Sequence, residues 1–104
     1  MEGLKKDAGK PRFSLLPPGT LLEVVEVLTF GAQKYADDNW MHVGGARKRY
    51  YDALQRHVEA WWQGEVRDPE TGRSHLAHAV CCALFLMWFD RHHAPTEPFH
   101  AVQG

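Results

Sequence analysis

The stretch Asp68-Pro69-Glu70-Thr71-Gly72-Arg73-Ser74-His75-Leu76-Ala77-His78 sets acidic side chains, a turn and two helical histidines in immediate succession. Carboxylates and imidazoles hold divalent metals and move protons, so this is where the chain is best equipped for chemistry. His75 and His78 lie i, i+3 on the opening turn of a helix. There the positive end of the dipole disfavours imidazolium and leaves ring nitrogens free as ligands or acceptors. Glu65 and Asp68 bracket the loop, and Glu59 lies up the preceding helix. Antiparallel pairing of the two helices would bring His57 and Glu59 close to the level of His78. Three carboxylates and three histidines near one bend are more polar groups than a core tolerates unless they bind something. The bland reading is that Glu65 and Asp68 solvate a loop while the histidines cap and hydrogen-bond. Oxygen ligation would suit Mg2+ or Mn2+, whereas the histidines leave room for a softer metal.

Cations and aromatics add a second set. Lys34-Tyr35 and Asn39-Trp40 combine an ammonium, an amide and two aromatic rings within a few residues, the equipment for base recognition; Trp40 could equally plug the loop from below. Lys34 and Arg56 are the better candidates for contacting an anion. Arg47, Lys48 and Arg49 occupy the first turn of a helix, where the dipole opposes them, so they are either anion contacts or surface charge. Glu23 and Glu26, one turn apart, are a weaker metal pair, because both also favour a helix N-terminus.

The elements that must position these groups are helical. Pro11, Pro17, Pro18 and Gly19 make residues 1–18 an extended arm, rendered basic by Lys5, Lys6, Lys10 and Arg12. Thr20-Leu21-Leu22-Glu23 reads as a capping box opening a helix to about Tyr35. A loop follows to Gly44-Gly45, which releases a second helix running to about Gln63, with Tyr50, Leu54, His57, Val58 and Trp61 on one face. Gly64 ends it. Ser74 is the expected cap of a third helix, apolar nearly all round from Ala77 to Phe89. Such a helix needs more cover than two neighbours supply, so a small all-α bundle completed by homodimer or homotetramer formation is expected. Residues 91–104 read as a tail, in which His92 and His93 are either ligands or favourable charges at a helix C-terminus.

At 104 residues the chain suits one domain, and a formal charge of -1 gives no footprint for a nucleic-acid polymer. Cys81 and Cys82 are adjacent in an apolar run, neither a disulfide framework nor a zinc spacing, and read as reduced core residues of a cytoplasmic protein. The first residues lack the apolar stretch of a signal peptide, and Leu76 to Phe89 is too short to span a membrane.

Taken together, Gly31-Ala32-Gln33-Lys34-Tyr35, Asn39-Trp40, Arg56-His57, Gly64-Glu65, Asp68-Pro69-Glu70-Thr71-Gly72 and His75-Leu76-Ala77-His78-Ala79 resemble the phage dATP/dGTP diphosphohydrolase family. The likeness extends into the arm at Lys10-Pro11 and Leu15-Leu16-Pro17. That family is similar to the MazG and HisE branch of all-α nucleoside triphosphate pyrophosphatases. The resemblance implies a MazG-like helical bundle that hydrolyses dGTP or dATP to the monophosphate and pyrophosphate with Mg2+ or Mn2+. It also implies a role in reshaping the purine deoxynucleotide pool of an infected host cell's cytoplasm, for example supplying dGMP towards a modified base.

One departure matters. The broader superfamily carries Glu-Glu-x-x-Glu on one helix and Glu-x-x-Asp on the next, whereas this chain has Gln55-Arg56-His57-Val58-Glu59 and His75-Leu76-Ala77-His78. Only Glu59 remains a carboxylate, and Glu65 and Asp68 become natural substitutes from the loop. The expected site therefore has Glu59, Glu65, Asp68 and His75 on the metal, with Glu65, Asp68, His75 and His78 in the catalytic group. Lys34, Arg56 and Lys10 would take the phosphates, and Tyr35, Asn39 and Trp40 the base. A zinc-dependent phosphohydrolase built on His57, His75, His78 and Asp68 and a non-catalytic helical binding module are the alternatives.

Overall fold

The computed structural model describes residues 3–92, and its helices are α1 (Thr20–Lys34), α2 (Ala46–Trp62) and α3 (His75–His92). The expected all-α class is what the chain adopts. Among the described residues no strand forms beyond a single antiparallel bridge between Arg67 and Ser74. The arm is exposed along residues 3–18 and broken by one turn of 3-10 helix at Phe13–Leu15. The tail expected from residue 91 starts later, because α3 runs on through Arg91 and His92; residues 93–104, His93 included, lie outside the described residues.

The start of α1 is where expected, but its cause differs. Gly19 is the N-cap, at a φ of 82°. Thr20 is already helical, and its hydroxyl donates to the Pro17 carbonyl at 2.7 Å, so no capping box forms. A side chain caps a helix from the last non-helical residue, and here that residue is one place earlier and has no side chain. Only glycine takes its left-handed conformation without cost.

Helix α3 is central and packs on both α1 and α2, more extensively on α2. Tyr50 meets Phe85 with ring centroids 4.9 Å apart, and His57 meets His78 at 4.5 Å, the register of an antiparallel pair. The core is built from small groups: Val24, Val27, Ala77 and Cys81, with Leu28 and Phe85 packed against them. Ala77, Ala79, Cys81 and Cys82 are buried while Leu76, Val80, Leu84 and Met87 are 40–59% exposed, so α3 buries small residues and presents large apolar ones outward. Both cysteines are free, and burial pushes their thiols up, to about 12 for Cys81 and about 11 for Cys82. They are inert packing groups. Among the described residues no helix is long and apolar enough to cross a membrane.

Two devices define the bend that joins α2 to α3. Helix α2 ends in a Schellman motif: Glu65 N–H donates to the Ala60 carbonyl and Gly64 N–H to that of Trp61, both at 3.0 Å, with Gly64 at a φ of 103°. Helix α3 opens on Ser74, whose Oγ accepts from the amides of Leu76 at 3.0 Å and Ala77 at 3.3 Å. Ser74→Ala is expected to cost about 1 kcal/mol of unfolding free energy, measured by urea denaturation, with Ser74→Asp close to wild type. Equal midpoints for wild type and Ser74→Ala would show that the cap contributes nothing.

Candidate functional site

The residues between the two helices fold into a tight hairpin. Asp68 N–H donates to the Arg73 carbonyl at 2.8 Å, Gly72 N–H to the Asp68 carbonyl at 2.7 Å, and His75 N–H to the Val66 carbonyl at 2.8 Å. Asp68 closes an Asx turn, its Oδ1 accepting from Glu70 N–H at 2.7 Å. Its second oxygen, Oδ2, is turned towards His57, 3.8 Å from Nδ1. Thr71 does similar work: its hydroxyl accepts from Arg73 N–H at 3.1 Å and lies 2.7 Å from His78 Nε2. Backbone requirements of a short turn thus aim Asp68 and Thr71 at the imidazoles.

Three histidines meet there. His57 Nδ1 lies 2.9 Å from His75 Nδ1, and His75 Nε2 lies 2.6 Å from Glu65 Oε1. His57 stacks on His78 with ring planes 13° apart. His75 is 5% exposed, the one buried polar residue among those described. A contact this short places one proton between the two Nδ1 atoms, donated by one ring and accepted by the other. Burial, reinforced by the neighbouring His78 charge, pushes His57 down to about 4 against the pull of Asp68. His78 is lowered as well, by burial first, with Asp68 again opposing. Burial thus keeps His57 and His78 neutral at physiological pH.

His57, Asp68 and His78 each offer a ligand atom, all within 4.8 Å of one another. Two imidazoles and one carboxylate suit Mn2+ and the later divalent transition metals; Mg2+ demands oxygen. Of the two metals expected, the donors therefore fit Mn2+ and do not fit Mg2+.

Beside this cluster runs a cleft of about 820 Å³ formed by the end of α1, the loop after it, the facing side of α2 and the hairpin. Pockets for small ligands fall between about 300 and 1,000 Å³. Lys34, Tyr35, Asn39, Trp40 and Arg56 line it, together with Arg49 and the acidic Asp37, Asp38, Asp52 and Glu70. His78 and Thr71 belong to both cleft and cluster. The Lys34 ammonium is engaged by Glu70 at 2.6 Å and lies 5.2 Å from the Tyr35 ring centroid; the bond to Glu70 raises its pKa.

The expected residues are therefore sorted. Glu65, Asp68, His75 and His78 come together, and Lys34, Arg56, Tyr35, Asn39 and Trp40 share the cleft. Glu59 does not join them: it is exposed and accepts from Gln63 Nε2 at 2.9 Å. Lys10 stays on the exposed arm, in a turn closed by its own N–H to the Asp7 carbonyl, away from the cleft lining. Trp40 is chiefly a plug, stacked on Phe85 at 4.7 Å and edge-on to Trp88, with its carbonyl held by the Tyr50 hydroxyl at 3.2 Å. Glu26 pairs with Arg73 at 3.4 Å, which explains it without a metal. His57 sits at the centre although the expected metal and catalytic sets omit it. Its place in the apolar stripe of α2 was the signal. Glu70 and Thr71 had no role assigned, and nothing but their position in the turn marks them.

A family profile described as dATP/dGTP diphosphohydrolase, N-terminal, matches residues 1–97. A dATP/dGTP diphosphohydrolase of Salmonella phage PMBT28 is 41% identical over 88 residues, which is 85% of this chain and 30% of that protein. The chain thus spans less than a third of that curated relative. No solved structure matches.

In the metal-free protein the His57 pKa lies at about 4 folded and 6.5 as the unperturbed value. The unfolded chain binds more protons between those limits, so the contribution of His57 to stability is complete above pH 6.5 and is lost as pH falls towards 4. The loss amounts to at most roughly 3 kcal/mol. A proton NMR titration of the His57 ring is expected to show a midpoint near 4, with urea stability falling over the same window. A midpoint at or above 6 would contradict the buried neutral ring.

Proposed function

Because the chain belongs to the dATP/dGTP diphosphohydrolase family, in its N-terminal region, we propose that it hydrolyses purine deoxynucleoside triphosphates, dGTP or dATP, to the monophosphate and pyrophosphate. The observation that carries this reading is the meeting of two equipments in one place: His78 and Thr71, part of the histidine and Asp68 cluster, line the cleft that also holds Lys34 and Arg56. Phosphate charge and a proton-handling cluster are what hydrolysis of a phosphoanhydride requires.

Each group has a part. Lys34 and Arg56 bind phosphate oxygens, Lys34 by exchanging the Glu70 carboxylate for the ligand. Tyr35, 65% exposed at the cleft, offers a stacking face, and the Asn39 amide offers both a donor and an acceptor to a base edge. Asp68 and the histidines beside it would hold a divalent cation, which polarises a phosphoryl oxygen and acidifies bound water. Thr71, 2.7 Å from His78 Nε2, would hold that ring on the cation at the cleft floor. The product monophosphate would feed remodelling of the purine deoxynucleotide pool in a phage-infected cell.

The outward stripe Leu76, Val80, Leu84 and Met87 supports assembly with a second copy, since burying it removes from water the apolar face that α1 and α2 leave open. Sedimentation is expected to give a dimer or tetramer, and Leu84→Glu a monomer. A wild-type monomer at micromolar concentration would overturn the assembly.

A pyrophosphate-release assay across the deoxynucleoside and ribonucleoside triphosphates, with Mn2+ or Mg2+ and with neither, tests the reaction. Release of pyrophosphate with dGMP or dAMP is expected, with Lys34→Met lowering kcat/KM at least tenfold. Inorganic phosphate as the sole product, or undiminished turnover by Lys34→Met, would refute it.

A further inference from the structure

The resident-metal question turns on what stands where a hard-metal site would have carboxylates. Among the described residues, only His57, Asp68 and His78 bring three ligating side chains within 4.8 Å. Asp68 contributes one oxygen to that group, because its other oxygen is committed to Glu70 N–H at 2.7 Å. Four other carboxylates are engaged elsewhere: Glu65 with His75 at 2.6 Å, Glu70 with Lys34 at 2.6 Å, Glu26 with Arg73 at 3.4 Å, and Glu59 with Gln63 at 2.9 Å. The site therefore offers two nitrogens for each oxygen.

We propose that His57, Asp68 and His78 form a resident site for a divalent transition metal of the Mn2+ to Zn2+ series that discriminates against Mg2+, with Glu65 and His75 as positioning residues behind His57. Imidazole nitrogen raises affinity along that series and contributes little to Mg2+, which dehydrates reluctantly and takes oxygen. The positioning pair has the form expected of such sites. A carboxylate, Glu65, fixes the His75 ring, and that buried ring in turn contacts His57 Nδ1 at 2.9 Å and holds the ligand ring against rotation. The Thr71 hydroxyl supports His78 in the same manner at 2.7 Å. All three ligands are part-buried rather than splayed on the surface, so they are held before a metal arrives. The inference deepens the metal part of the nucleotide reading, yet it stands on the ligand set alone and is tested without any nucleotide.

Titration calorimetry of the chelator-stripped full chain, with Co2+, Mn2+, Zn2+ or Mg2+ as the only addition, tests it, together with the visible spectrum of the Co2+ form. His92→Ala/His93→Ala/His100→Ala serves as background to remove the histidines of the C-terminal part of the chain. One Co2+ or Zn2+ per chain is expected, with Co2+ absorption bands indicating nitrogen ligation and affinity at least a hundredfold above that for Mg2+. Asp68→Asn is expected to weaken Co2+ binding at least tenfold, His57→Gln to abolish it, and Glu65→Gln to weaken it about tenfold at unchanged stoichiometry. Asp68→Asn keeps the Asx-turn acceptor, so it reports on the ligand even where His57→Gln folds poorly. Equal affinity for Mg2+, or Co2+ binding unaffected by Asp68→Asn, would overturn the proposal. Failure of nucleotide hydrolysis with metal bound as described would instead refute the proposed reaction and leave the site standing.

Discussion

Two ring nitrogens 2.9 Å apart, Nδ1 of His57 and Nδ1 of His75, tolerate each other only with one proton between them. Much of the local structure exists to satisfy that condition. Glu65 lies 2.6 Å from His75 Nε2 and anchors that ring, and Glu65 is brought there by the Schellman turn at Gly64. The contact also requires α2 and α3 to lie close at this level. On the opposite side, Ala77 and Cys81 of α3 are small and pack against Val24 and Val27 of α1. A buried pair of this kind is costly if half satisfied, and Glu65 completes it from the hairpin at 2.6 Å from His75 Nε2.

The sequence exposed the helices more readily than the ligands. Period and punctuation set α1, α2 and α3, because the apolar repeats end at Gly19, Gly45, Gly64 and Ser74, where backbone conformation or a side-chain oxygen demands particular residues. The capping box failed because its pattern is satisfied by composition alone, while the deciding variable was the positive φ of Gly19. The site was half legible. His75 and His78 at i, i+3 necessarily share a face, and both reach the cluster. His57 and Glu59 are two apart, about 200° around a helix, so only one of them can face α3. Choosing the carboxylate by chemistry led to Glu59, whereas the apolar stripe through Leu54 and Val58 pointed to His57. Side-chain partners such as Lys34 with Glu70 span 36 residues and leave no local trace.

The core is thin for a domain of this length. Among the described residues no large side chain is fully buried, while Leu76, Val80, Leu84 and Met87 on the central helix remain 40–59% exposed. Burial of small groups alone stabilises weakly, so a packed histidine cluster adds polar cost where apolar gain is modest. The arrangement makes sense if further surface covers α3.

The hairpin ties cleft and cluster into one mechanical unit. Glu70 reaches outward to Lys34 while its backbone N–H holds Asp68 Oδ1, and the next residue, Thr71, holds His78. The ion pair to Lys34 and the hydrogen bond to Asp68 thus leave from the same residue. Gly72 at a φ of 71° and the Arg67 to Ser74 bridge close the hairpin, and its tip is Pro69, Glu70 and Thr71. Cleft and cluster therefore meet in two adjacent residues of one turn, Glu70 and Thr71, and not through the helices alone.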